Sequence, residues 1–541
     1  MRNIEGNIVD VINREIYAGE IIIENQKIQK IIRKETTSEI YILPGLIDSH
    51  VHIESSMLIP SEFSKLAIQN GTVGIVTDPH EIANVCGIEG IEFMINDSKQ
   101  GPLKTYYAVP SCVPMTKMDK SGAILDAEKI DKIFTKHKLK VLGEMMDYPG
   151  VINKEETIIE KLEIAKKHNA IIDGHAPGLN SKEIKLYAEA GISTDHECST
   201  IEEAIEKINL GIKILIREGS AAQNFEALYP LISKYNEMVM LCTDDSHPDE
   251  LIEKGHINKI IKKGLEKNLD IFDLLTVTCI NPIKHYGLEI GLLRENDPAD
   301  FIVVDDLQNF NIIETTIDGK MVYSNKRILF KTKIPKQINN FKAEKIKIED
   351  IKIKPKKEKI KVIEVIDKEL ITNYFTSTYK IQENNINSNI NKDILKIITV
   401  NRYENKKPAI GFINGFGLKT GAIASSISHD SHNIIAIGTD DENITKAINE
   451  IIEKKGGLCY VKGNDYYTLE LEIGGLMTTQ KGEDVAKIYK ELNQIVKVNG
   501  CNLTAPFMIL SFMSLIVIPK FKMGDMGLFD VEKFQYVDLF I

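Results

Sequence analysis

The sequence lacks closely spaced cysteines and a long apolar run, and its N-terminal residues do not have the pattern expected of a secretory signal. Its seven cysteines are odd in number and scattered, and none forms a CxxC pair. This pattern argues against a disulfide framework and predicts reduced thiols in a cytosolic chain. The N-terminus, MRNIEGNIVDVINREI, carries charges where a signal peptide needs an apolar segment. We therefore expect a cytoplasmic protein.

The sequence also lacks an excess of positive charge. Its 67 Lys and Arg against 78 Asp and Glu leave a net charge of −11, which disfavours a nucleic-acid partner held through phosphate contacts. The most apolar stretch, residues 507–518, is bounded by Pro506 and Pro519 and is too short to cross a bilayer. We expect that stretch to be buried core, and we expect no membrane partner.

The length of 541 residues, with 43% hydrophobic and 27% charged residues, predicts a globular chain of several domains. β-rich runs before residue 43 recur near residues 300–323, which indicates two half-sheets that pair across the segment between them. We assign residues 1–43 and 297–344 to a small β-sandwich. A Lys-rich stretch after residue 341 marks a boundary, and residues 345–541 are predicted to form an α+β domain.

Residues 44–296 alternate short β-branched apolar runs with helical stretches. We count eight such runs: ILPGLIDSHVH, GIVTDPHE, YYAVPSC, VLGEMMD, AIIDGHAPG, ISTDHE, KILIREGS and VMLCTDD. Eight strand–helix units predict an α/β fold, the (β/α)8 barrel, in which the active site lies at the C-terminal ends of the strands. Each run ends in polar side chains, so we expect these side chains to meet at one mouth.

Six residues at these strand ends have side chains that bind metals: His50, His52, Glu144, His175, His196 and Asp244. His50 and His52 are two apart, so on a strand both imidazoles face the same side. Four imidazoles and two carboxylates exceed what one tetrahedral ion requires. They suit two divalent ions bridged by a carboxylate, with Mn or Fe preferred and Zn compatible.

Several segments resemble one family. PGLIDSHVH, the later single histidines and the TDD of the eighth run resemble the amidohydrolase superfamily. Closer likeness lies in DPHEIANVCG (78–87), PSCVP (110–114), GEMMDYPGV (143–151), GHAPGL (174–179), STDHECS (193–199), TDDSHP (243–248) and SLIVIPKFKMGDMGLFDV (514–531). These resemble the bacterial-type adenine deaminase family over essentially the whole chain. The resemblance implies hydrolysis of adenine to hypoxanthine and ammonia by a metal-activated hydroxide, in purine salvage.

The resemblance also implies roles for the six strand-end residues. It makes His50 and His52 ligands of one ion, His175 and His196 ligands of the other, Glu144 the bridge, and Asp244 a ligand and proton carrier. GEMMD contains no lysine, which argues against the carboxylated-lysine bridge of dihydroorotases and hydantoinases. The implied partner is a small purine, and we expect a homo-oligomer, a dimer or larger.

Further residues near the strand ends have two interpretations each. Asp245 either approaches the purine N7 or caps the following helix, and His247 either donates to the reaction adduct or closes its loop. Asp78, His80 and Glu81 either bind substrate or another ion, or support the ligands. Arg217 and Ser220 either contact the base edges or belong to a salt-bridged rim.

Two alternative functions stand beside adenine deamination. One is another amidohydrolase activity, such as deacetylation of an N-acetyl amino sugar, and the other is a metal-stabilised scaffold without catalysis. In the C-terminal region, His429 and His432 lie in a polar turn, ISHDSHNII. They either reach a barrel mouth, hold a further ion, or only form the turn's hydrogen bonds.

Overall fold

The computed structural model describes residues 1–220 and 222–541, which divide into two compact units. Unit 1 comprises Met1–His80, Met94–Cys112 and Leu125–Ile334, and unit 2 comprises Glu81–Phe93, Val113–Ile124 and Pro335–Ile541. Among the described residues, no helix combines the length and the apolar character that crossing a membrane requires.

Unit 1 contains seventeen strands. They are β1 (Arg2–Asp10), β2 (Glu15–Glu24), β3 (Lys27–Arg33), β4 (Tyr41–Pro44), β5 (Leu46–His52), β6 (Thr72–Thr77), β7 (Lys104–Tyr107), β8 (Val141–Met145), β9 (Ile171–Gly174), β10 (Thr194–Asp195), β11 (Lys213–Arg217), β12 (Val239–Cys242), β13 (Asp244–Asp245), β14 (Phe301–Val304), β15 (Ile312–Ile317), β16 (Lys320–Ser324) and β17 (Arg327–Ile328), counted over its described residues.

The strands of unit 2, within the part of the chain that the structure describes, are β18 (Ile360–Val365), β19 (Thr372–Ser377), β20 (Lys380–Gln382), β21 (Asn385–Asn387), β22 (Ile394–Val400), β23 (Ala409–Asn414), β24 (Ala422–Ser425), β25 (Ile434–Gly438), β26 (Gly457–Lys462), β27 (Asp465–Glu470), β28 (Phe521–Gly524), β29 (Gly527–Asp530) and β30 (Gln535–Tyr536).

The α-helices are α1 (Pro60–Gln69), α2 (His80–Ser98), α3 (Ala127–His137), α4 (Tyr148–Ile152), α5 (Glu156–Lys167), α6 (Ser181–Glu189), α7 (Ile201–Asn209), α8 (Phe225–Leu228), α9 (Pro230–Lys234), α10 (Pro248–Glu253), α11 (Ile257–Glu266), α12 (Ile271–Leu275), α13 (Asn281–Tyr286), α14 (Asp441–Lys454), α15 (Gly482–Val498) and α16 (Pro506–Phe512). Helix α16, in the most apolar stretch of the sequence, is buried along its whole length.

The two β-rich segments that flank the barrel join in one sheet. Its eight strands follow the order β17-β16-β15-β14-β4-β1-β2-β3. Strand β4 lies parallel to β1 on one side and antiparallel to β14 on the other, which places Leu43 opposite Ile302. Because β4 bonds along both edges, the N-terminal and later segments form a single hydrogen-bonded sheet, which is the pairing that the sequence predicted for the two half-sheets.

Eight parallel strands close into a barrel. Ladders join β5 to β6, β6 to β7, β8 to β9, β10 to β11 and β11 to β12. Single bridges connect Val109 to Leu142 and Ile172 to Ile192, and β13, which continues β12, pairs back with β5. The eight apolar runs of the sequence are these strands, so the predicted barrel is confirmed. Strands of this kind are buried on both faces, which explains their continuous apolar pattern.

Asp48 on β5 connects the first and eighth strands. It accepts hydrogen bonds from the backbone N–H of Thr243 at 3.1 Å and from its hydroxyl at 2.5 Å. Nε2 of His256 lies 3.0 Å from the same carboxylate, and Asp48 is fully buried. These bonds secure the barrel closure beside the strand ends that carry His50 and Asp244.

Unit 2 is built on a second eight-stranded sheet, in the order β19-β18-β23-β22-β25-β24-β26-β27. Helix α14 covers one face, where Ile444, Ile448 and Ile451 join the core formed by the strands. The segments 81–93 and 113–124 belong to this unit, although the sequence-based boundaries assign them to the barrel domain. Asn340 donates from Nδ2 to the carbonyl of Val85 at 3.1 Å, and this bond ties the first segment to the C-terminal region.

Asp48→Ala should destabilise the protein because Thr243 would lose its buried acceptor. We expect the free energy of unfolding to fall by about 3 kcal/mol, as when one member of a buried charged network is removed. Urea unfolding followed by circular dichroism would measure it. Asp465→Ala, at an exposed site of β27, is the matched control and should change stability by less than about 0.5 kcal/mol. Equal midpoints for the two variants would contradict this role of Asp48.

Candidate active site

Glu144 occupies the centre of the site at the end of β8. Its backbone N–H donates to Oδ2 of Asp78 at 3.0 Å, and its side chain is buried. The preceding Gly143 allows this approach, because a Cβ there would lie 2.0 Å from the Asp78 carboxylate. The glycine therefore lets the acids at the ends of β6 and β8 pack together.

One oxygen of Glu144 faces the histidines of β5. Oε1 lies 3.2 Å from Nε2 of His52 and 3.9 Å from Nε2 of His50. Asp244 completes this group, since its Oδ1 lies 3.2 Å from Nε2 of His52 and 3.6 Å from Nε2 of His50. The two imidazole nitrogens are 3.1 Å apart. Two nitrogens and two carboxylate oxygens thus converge on one point.

The other oxygen of Glu144 faces a second pair of histidines. Oε2 lies 2.9 Å from Nδ1 of His175 and 3.4 Å from Nε2 of His196. These two ring nitrogens are 3.3 Å apart. Glu144 therefore presents one oxygen to each of two imidazole pairs, which is the arrangement of a carboxylate that bridges two ions.

Backbone contacts orient the histidines. Nδ1 of His52 lies 3.0 Å from the carbonyl oxygen of Asp78, so an Nδ1–H donor leaves Nε2 free to bind an ion. The backbone N–H of His175 donates to the Tyr187 hydroxyl at 3.0 Å. Asn224 donates from Nδ2 to the carbonyl of His196 at 3.1 Å. The first contact orients the ring of His52, and the other two hold the backbone of His175 and of His196.

Asp244 is held in a strained conformation by buried contacts. Its φ of 54° is in the left-handed region, which a residue other than glycine adopts at a cost in energy. Nη1 of Arg217 donates to its Oδ2 at 2.7 Å, while Oδ1 faces His50 and His52. Thr243 separates β12 from β13, and Asp244 begins β13 with its carboxylate toward the β5 histidines.

Neighbouring positive groups keep the two buried carboxylates of the site ionised. Burial acts to raise the pKa of Glu144, but hydrogen bonds from His175, His196 and His52 hold it well below its usual range. Burial likewise opposes ionisation of Asp244, yet Arg217 and the β5 histidines keep its pKa well below normal. Against the effect of burial, the carboxylates around His196 raise its pKa to about 10. The two carboxylates therefore stay ionised beside the imidazoles, and these nitrogen and oxygen donors suit divalent metals.

Of the predicted substrate-binding residues, Asp78, His80 and Asp245 lie beside the donor set. Nδ1 of His80 is 3.6 Å from Oε1 of Glu144. Asp245 accepts a hydrogen bond from the hydroxyl of Ser55 at 2.5 Å. The N-cap of α10 is His247, so Asp245 does not cap that helix.

Arg217, Ser220 and His247 belong to the same strand ends. Arg217 contacts Asp244, as described above. The hydroxyl of Ser220 accepts from the backbone N–H of His247 at 2.9 Å and donates to Glu250 at 3.0 Å. Ser220 thus holds the loop that carries His247.

Glu81 has a different environment from the other predicted residues. It belongs to unit 2, where its carboxylate contacts His429 and His432. The sequence placed Glu81 with Asp78 and His80 at the end of the second strand. Helical geometry turns consecutive side chains by about 100°, so neighbours at the start of α2 face different surroundings.

Sequence reasoning missed Glu197. Its Oε1 lies 3.4 Å from Nδ1 of His175 and 3.4 Å from Nε2 of His196, and it accepts from Nη1 of Arg217 at 2.5 Å. One guanidinium nitrogen thus contacts both Glu197 and Asp244. The available signal was the position of Glu197 directly after His196.

Comparisons with known proteins match both the barrel and the C-terminal part of the chain. Residues 41–322 match the model described as "Amidohydrolase family", and residues 369–535 match the "Adenine deaminase C-terminal domain". An adenine deaminase of Methanosarcina mazei is 53% identical over 553 residues, covering 100% of both chains. One of Borreliella burgdorferi is 47% identical over 543 residues, covering 99% of each.

A solved structure of N-acetyl-D-glucosamine-6-phosphate deacetylase from Mycobacterium smegmatis is 12% identical, with a TM-score of 0.47, and covers 60% of this chain and 100% of that chain. With so low an identity and TM-score, this structural likeness does not bear on the family to which the chain belongs. The full-length relatives and both matched regions confirm the resemblance that the sequence motifs indicated. The chain therefore belongs to the adenine deaminase family, whose catalytic domain is the amidohydrolase barrel.

Proposed function

We propose that this chain hydrolyses adenine to hypoxanthine and ammonia, in purine salvage, at a centre of two divalent ions. The observation that carries the proposal is the position of Glu144, with one oxygen toward each of two histidine pairs. The full-length relatives, which are named adenine deaminases, support the substrate. Assembly as a dimer or larger oligomer and a cytosolic location stay predictions from the sequence.

The donor groups divide between the ions. His50, His52 and Asp244 would hold one ion, His175 and His196 the other, and Glu144 both. Mixed nitrogen and oxygen donors suit Mn or Fe, and Zn is compatible. When bound, such ions lower the pKa of water from about 15.7 toward about 7, which makes hydroxide available at neutral pH.

The reaction replaces the C6–N6 bond of adenine with a C6–O bond. One proton of the attacking water ends on ring N1, and the other leaves with the amino nitrogen as ammonia. Asp244 is the residue that we assign to carry a proton to the departing nitrogen, because its carboxylate is buried beside Glu144 and the β5 histidines. Arg217 acts through Asp244, since its guanidinium holds the second carboxylate oxygen.

The remaining residues are assigned to the substrate. His247 donates to the oxygen that forms on C6, and Ser220 fixes its loop. Asp245, anchored by Ser55, accepts from the five-membered ring edge of the purine. Asp78 and His80 support Glu144 and line the site that receives the adenine ring. Glu81 was predicted to join them, but its contacts in unit 2 suggest the separate role argued below.

Removal of the metal ions should abolish ammonia release from adenine, and Mn²⁺ should restore it. Ammonia and the ultraviolet spectra of adenine and hypoxanthine would be measured for chelator-treated and reconstituted protein. An N-acetyl amino-sugar deacetylase would instead leave adenine unchanged and release acetate from its own substrate. A metal-stabilised scaffold would release neither ammonia nor acetate. Protein that behaves like a deacetylase or like a scaffold would contradict the proposal.

Asp244→Asn should preserve the fold and most of the metal but lower kcat by about 10²–10⁴-fold, because the amide cannot carry the proton. Steady-state kinetics with adenine would measure the loss. Asp306→Asn, in an exposed loop away from the donor set, is the control and should keep the rate. Turnover of Asp244→Asn close to that of the control would remove Asp244 from the proton path.

His175→Ala should lower both turnover and metal content, by about one ion per chain, because Nδ1 of His175 faces the second oxygen of Glu144. Elemental analysis of protein reconstituted with Mn²⁺ would give the stoichiometry. The control is His168→Ala, whose ring pairs with Asp131 outside the donor set. Unchanged metal content in His175→Ala would break the ligand assignment.

A further inference from the structure

Unit 2 contains a second group of metal-binding side chains. Glu81 contacts both His429 and His432, with Oε1 at 2.7 Å from Nδ1 of His429 and Oε2 beside Nε2 of His432. All three side chains are buried, and their exposed fractions are 3%, 8% and 1%. One carboxylate with an imidazole on each oxygen is a compact set of three donors.

We propose that Glu81, His429 and His432 bind a divalent transition-metal ion, at a site that shares no ligand with the barrel centre. The three donor atoms all lie within 4.8 Å of one another, the spacing that one ion requires. Two imidazoles and one carboxylate bind Zn²⁺ and Fe²⁺ in proteins and leave a position for water. The adenine deaminase reaction does not require this third ion, so the inference stands independently of the proposed function.

The residues around His429 and His432 favour metal binding by these two histidines. The ring of His429 stacks on Phe512 with centroids 4.5 Å apart, which fixes the direction of its nitrogens. The two imidazole rings are 5.6 Å apart at an interplanar angle of 62°, so both reach one centre without stacking on each other. A rigid aromatic support of this kind reduces the entropy lost on ligation.

Hydrogen bonds define the tautomer of His432. The backbone N–H of Ser428 lies 3.3 Å from Nδ1 of His432, so without metal the ring proton is on Nε2 and faces Glu81. Ligation through Nε2 moves this proton to Nδ1 and gives up the long contact with Ser428.

Binding would join distant parts of the chain within unit 2. Glu81 comes from the segment 81–93, while His429 and His432 lie in the turn between β24 and β25. Glu81 is 348 residues from His429 in sequence. A metal at this point would cross-link the inserted segment to the C-terminal sheet, as structural zinc sites do in other folds.

Metal stoichiometry of the full chain tests the proposal. Protein stripped with a chelator and reloaded with Zn²⁺ should bind three ions per chain by elemental analysis. Glu81→Gln and the double variant His429→Gln with His432→Gln should each bind one ion fewer. His168→Gln is the matched control and should keep all three. His175→Ala should lose an ion from the barrel while the site in unit 2 keeps its own.

Anomalous diffraction from crystals of the Zn²⁺-loaded wild-type chain gives the decisive readout, because it does not depend on the folding of a variant. We expect a peak about 2.0–2.3 Å from the donor atoms of Glu81, His429 and His432. Two zinc ions per chain, both in the barrel, with no peak beside Glu81, would overturn the proposal. The three side chains would then form a hydrogen-bonded clamp without metal.

Discussion

Parallel pairing of the eighth strand with the first is the interaction on which the site depends. It brings Asp244 against β5, and the bonds between Asp48 and Thr243 hold this closure. Apart from His50 and His52, the donors come from separate strands, and no local segment supplies a complete set. The closed eight-stranded barrel places all these donors at one face, because the C-terminal ends of its parallel strands lie together.

The closed barrel also supports a costly arrangement of charge. Glu144 and Asp244 are buried and ionised, and Asp244 has a left-handed backbone as well. Neither would be stable without compensation, since isolated buried carboxylates are expensive. Histidines on both sides of Glu144 and the guanidinium of Arg217 supply that compensation. The strain and charge are thus concentrated where cations and substrate are expected, and the apolar strands and helices of the barrel provide the offsetting stability.

Particular residues show how far the sequence could predict this site. His50 and His52 were recognisable from their spacing of two, and the eight apolar runs predicted the barrel. Glu197 carried no motif of its own, because its importance comes from contacts with His175, His196 and Arg217. Glu81 was grouped with its sequence neighbours, whereas its contacts are with histidines about 350 residues away. Long-range pairs of this kind leave no periodic signal.

The sequence by itself determined the type of fold and the family, and it predicted the six strand-end residues that lie together, because apolar periodicity and motifs are local properties of the chain. Tertiary structure decided which oxygen of Glu144 faces which histidines, how Arg217 connects Glu197 to Asp244, and which segments join unit 2. It also decided the strand order and register by which β4 joins the two β-rich segments. These features depend on distances between residues far apart in the chain, and such distances exist only after the strands have paired and the core has packed.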